Sequence, residues 1–72
     1  MKTFGKQTTR QQYRELIEVS FQATPEEIRT LAEFLLSVAS TMDTCGDNFG
    51  HSHLRDWLTG WDKNWPDIIV AR

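Results

Sequence analysis

The sequence predicts an α+β fold: a small two-layer β-α-β-β domain in which one amphipathic helix lies on a three-stranded mixed sheet. Three observations lead there. An apolar stripe at helical spacing runs between Ala23 and Asp43, a stretch of period-two alternation from Tyr13 precedes it, and a short apolar run from Asp67 to Ala71 follows Pro66. The 72 residues are expected to form a single domain spanning residues 1–72. A chain this short buries only about 60% of the surface that its unfolded form exposes, so its core is small.

Residues 1–12 are polar and carry Lys2, Lys6 and Arg10 with no acid, which reads as a flexible basic lead-in from which only Phe4 could dock. From Tyr13 the period becomes two: Ile17, Val19, Phe21 and Ala23 point one way, and Leu16, Glu18, Ser20 and Gln22 the other. That is the pattern of a half-buried strand. It runs almost directly into Thr24, a good N-cap, followed by Pro25 at the first helical position and Glu27 three residues after the cap. Together these make a capping box, with Glu26 and Glu27 at the positive end of the helix dipole. Ile28, Leu31, Ala32, Leu35, Val38, Ala39 and Met42 form the stripe, and Phe34 and Leu36 flank it. The helix is expected to stop at Asp43-Thr-Cys-Gly.

After a loop over residues 44–50, His51 to Asp56 admits two readings. As a strand it places His51, His53 and Arg55 on one face; as a helix it starts an apolar stripe of Leu54, Trp57, Leu58, Trp61 and Trp65. Gly60 and the turn-forming run up to Pro66 favour the strand, over residues 50–56. The last run, Asp67 to Ala71, is apolar on both faces and belongs in the middle of the sheet. The expected order is therefore first strand, third strand, second strand, with a right-handed helical crossover.

Composition narrows the function classes. A lone cysteine, Cys45, forms no internal disulfide, and no apolar run approaches a membrane span, so a cytoplasmic protein is expected. From Glu15 onward ten acids face four bases, which argues against nucleic acid and mildly for a basic partner. His51-x-His53, with Cys45 six residues earlier, is the one constellation resembling metal ligands. It lacks the paired cysteines of a structural zinc site, and locally bonded surface histidines are the preferred reading, with no cofactor. A catalytic Cys45–His pairing would need an orienting group and an oxyanion site that nothing in the chain supplies, so no enzyme is expected. Trp57, Trp61 and Trp65 either cap the open face of a thin sheet or anchor an interface. Asp56, Asp62 and Asp67 among them disfavour stacking on single-stranded nucleic acid.

The residues His51-x-His53-Leu54-x-Asp56, followed after a Trp-rich loop by Pro66-Asp67-Ile68-Ile69-Val70, resemble a family of small immunity proteins of bacterial polymorphic-toxin and contact-dependent inhibition systems. The resemblance implies a non-enzymatic protein that binds and neutralises a cognate toxin. The candidate partner-binding residues are His51, His53, Arg55 and Asp56 with Trp57 and Trp61. The competing expectation is a homodimeric domain that binds a metal or small ligand through His51 and His53, with Cys45 as a further ligand. Self-association as a dimer is expected, because Phe34 and Leu36 lie at opposite margins of the helix stripe and the first strand offers an edge. The same surfaces could instead serve a toxin, with the free protein then monomeric.

Overall fold

The computed structural model describes residues 3–6 and 13–72, and the fold is α+β. Strand β1 (Thr3–Gly5) pairs antiparallel with β2 (Arg14–Leu16). Helix α1 (Pro25–Cys45) follows, then a 3-10 turn (Gly46–Asn48), strand β3 (His51–His53), a single helical turn α2 (Leu54–Trp57) and strand β4 (Ile69–Ala71). Strands β3 and β4 pair antiparallel, with His51 opposite Ala71 and His53 opposite Ile69.

The start of α1 is the one that the sequence dictates. The Thr24 hydroxyl accepts from the Glu27 N–H at 3.2 Å, and the Glu27 carboxylate accepts from the Thr24 N–H at 2.8 Å. Two helix-end donors are thereby satisfied. The helix ends within the expected run, at Cys45, because Gly46 turns the chain. Gly46 has φ 57°, in the region where a Cβ is disfavoured, and its N–H closes on the Met42 carbonyl.

Among the described residues the three-stranded mixed sheet is not formed; two separate two-stranded sheets stand in its place. The expected first strand shortens to Arg14–Leu16 and pairs with Thr3–Gly5, not with the C-terminal strand. Part of the expected lead-in is thus a strand; residues 1–2 and 7–12 lie outside the described residues. Residues 17–23 join no ladder, and Ile17 is 99% exposed. Side-chain alternation marks a strand only where a neighbour also satisfies the backbone donors and acceptors. Strand β4 finds that neighbour in β3 alone, so it is not a central strand, and Ile69 is exposed.

The core is small: Phe34 and Val38 from α1, Phe49, and Leu54 from α2 are buried, with Leu31, Met42, Leu58, Trp61, Trp65, Ile68 and Val70 packed around them. Phe34, expected at a margin of the stripe, is its centre at 0% exposure, while Ile28 and Leu35, expected inside, are exposed. The buried arc is rotated towards Phe34 because the largest side chain fills the space between α1 and the β3–α2 segment.

Candidate functional site

Residues 51–57 follow neither sequence reading in full. The strand expected over 50–56 is limited to His51–His53, and the helix that competed with it to the single turn Leu54–Trp57, so that Arg55 leaves the strand face. The switch occurs at His53, which serves as N-cap of α2 but makes no side-chain cap of its own. The exposed donors at the start of the turn are met instead by the segment leading into β4. Ile68 O accepts from the Leu54 N–H at 2.8 Å, and Asp67 Oδ1 accepts from the Arg55 N–H at 3.2 Å. The other Asp67 oxygen, Oδ2, lies 2.5 Å from His53 Nδ1 and 3.6 Å from Arg55 Nε. One carboxylate therefore caps a helical turn, orients an imidazole and faces a guanidinium.

Burial opposes the ionised form of Asp67. The His53 hydrogen bond, the Arg55 N–H and the charges of His53 and Arg55 together outweigh it, and hold the carboxyl below its ordinary value of 3.8.

Above this clamp lies an open cleft of about 350 Å³ between α1 and the β3–α2 segment. Phe34 and Val38 form its floor, Ser37 and Thr41 line the helix side, and His51, Ser52, His53, Asp56 and Trp57 the other. The His51 and His53 rings meet edge to face at 5.0 Å, as expected of residues two apart on a strand. Trp57 is 39% exposed and rests on Phe34 at 5.5 Å between ring centroids. The surface is polar at its rim and aromatic at its base.

Of the sequence-derived candidates, His51, His53, Asp56 and Trp57 come together in this cleft. Arg55 is exposed and pairs with Asp67 and, at 4.0 Å, with Asp56. Trp61 is set apart: it packs against the core, and its Nε1 is buried with no hydrogen-bond partner among the described residues. Cys45 is exposed at the last position of α1. Among the described residues no three His, Cys, Asp or Glu side chains converge as metal ligands, and neither imidazole hydrogen-bonds a hydroxyl. No helix among them is long and apolar enough to cross a membrane.

The reading by residue type overlooked Ser37 and Thr41, and gave Asp67 a place in the motif and in an anionic strip but no partner. Ser37 and Thr41 stand one helical turn apart beside Phe34 and Val38, a polar pair bordering the true core face. That signal becomes legible only once the buried arc is known. For Asp67 the cue was its place directly after Pro66, where the chain leaves a turn.

Residues 18–72 match the family model described as Immunity protein 32. The match covers α1 through β4, and with them every residue of the cleft and the Asp67 clamp. The chain belongs to this immunity protein family. No curated protein and no solved structure matches it. The β1–β2 hairpin precedes the matched region, so the segment shared with the Immunity protein 32 family is the helix with the β3–α2–β4 unit packed against it.

Proposed function

We propose that this chain is a non-enzymatic cytoplasmic protein that neutralises a cognate bacterial toxin by direct binding, using the face around the His51–Trp57 cleft. The observation that carries the reading is membership of the Immunity protein 32 family across residues 18–72. The geometry adds to it. The cleft is open, as suits a protein surface better than an enclosed small molecule, and it combines a half-exposed tryptophan with polar groups at its rim. The clamp between Asp67, His53 and Arg55 holds this face in one shape, which lowers the ordering cost of binding. Asp56 at the rim and the acidic balance from Glu15 onward favour a basic partner surface.

The test is coexpression of the full chain with the toxin encoded beside its gene. A stoichiometric complex and protection of the host from that toxin are expected. Asp56→Arg, at the rim of this face, should weaken binding about tenfold or more with an unchanged melting curve. A toxin that neither binds the chain nor is neutralised by it would overturn the reading.

A further inference from the structure

The core takes the face of α1 that carries Phe34 and Val38, and leaves a second apolar face about a third of a turn away. Ile28, Ala32, Leu35 and Ala39 form it, with Leu36 alongside; all are exposed, Leu36 at 70%. With Met42, which is half-buried and also packs against the core, the spacing is four, three, four, three, and large residues alternate with alanines. No charged residue lies on this line, which has the spacing of a two-helix seam. We infer that a second copy of this chain covers this face, with its α1 antiparallel to the first.

Two features select that occupant and that direction. The first is size. In an antiparallel seam Ala32 and Ala39 each face a large residue of the other helix, so each layer has similar volume. A parallel seam would set alanine against alanine and leucine against leucine. The second is charge. Arg29, Leu36 and Asp43 lie seven residues apart along one margin, and all three are exposed. An antiparallel pair with Leu36 on the twofold axis sets Leu36 against its own counterpart and Arg29 against Asp43 of the other copy, twice over. Parallel alignment would leave each of these charges without an opposite. The antiparallel helix dipoles also oppose favourably. A pattern complementary to its own reverse is what an isologous contact requires, and nothing about a different partner would demand it.

The seam lies on a different side of α1 from Ser37 and Thr41, so pairing leaves the His51–Trp57 cleft open. The dimer and the toxin-binding reading therefore stand or fall separately.

Light scattering and sedimentation equilibrium of the full chain test the inference. From about 5 to about 200 µM the mass should rise from the 8.4 kDa chain towards twice that value. Leu36→Glu should remain monomeric at the highest concentration with an unchanged circular dichroism spectrum. Arg29→Asp should weaken the dimer, and adding Asp43→Arg should restore it. A monomeric mass throughout would overturn the proposal. So would a dimer that survives Leu36→Glu, or a charge swap that fails to restore association.

Discussion

His53 Nδ1 and Asp67 Oδ2 lie 2.5 Å apart, although the two residues are fourteen positions apart in the chain. The bond ties the end of β3 to the entrance of β4, and the same carboxylate caps α2 through the Arg55 N–H. Asp67→Ala is therefore expected to destabilise the domain by about 1–3 kcal/mol, because it leaves the Arg55 N–H and His53 without their acceptor. Urea melts of the two proteins at neutral pH measure this.

That stabilisation should depend on acid. Folding lowers the pKa of Asp67, so its contribution is complete above the ordinary value of 3.8 and disappears as pH falls below it through the folded value. The stability gap between the wild type and Asp67→Asn should narrow on acidification past that point. A gap that widens in acid would contradict the assignment.

Thr24→Ala is expected to cost about 1 kcal/mol, since it removes the hydroxyl that accepts from the Glu27 N–H. Glu27→Ala removes the reciprocal bond. The double variant should lose less than the sum of the single losses, because the two bonds form one box. Thermal melts of the three variants decide it.

Phe34 and Leu36 should behave oppositely. Phe34→Ala empties the centre of the core and is expected to cost about 3–5 kcal/mol, enough to unfold much of so small a domain. Leu36→Ala, at an exposed position, should leave the dilute protein within about 0.5 kcal/mol of the wild type. Denaturation at low concentration separates them.

Zinc or a chelator should leave the melting temperature unchanged. His53 is engaged with Asp67, and the described residues bring no third ligand to His51 and His53. A stoichiometric zinc-dependent rise in melting temperature would favour the metal-binding alternative.

Local chemistry was written in the sequence. Thr24, Pro25 and Glu27 set the start of α1 through bonds that span three residues, and the period-two placement of His51 and His53 brought their rings to one face. The α+β class followed from the same short-range patterns. The tertiary structure alone decided three further matters. It chose which arc of α1 is buried, because a wide apolar arc has several possible centres and only the packing of Phe49 and Leu54 against it selects Phe34. It chose strand partners, because Ile17, Val19 and Phe21 alternate correctly yet have no ladder to join, while Thr3–Gly5 pairs with Arg14–Leu16. It placed Asp67 beside His53 and Arg55, a meeting made by the return of the chain through the tryptophan loop. Periodicity and capping are settled over one or two turns of chain; burial, pairing and the clamp depend on residues brought together from far apart, and no local pattern records them.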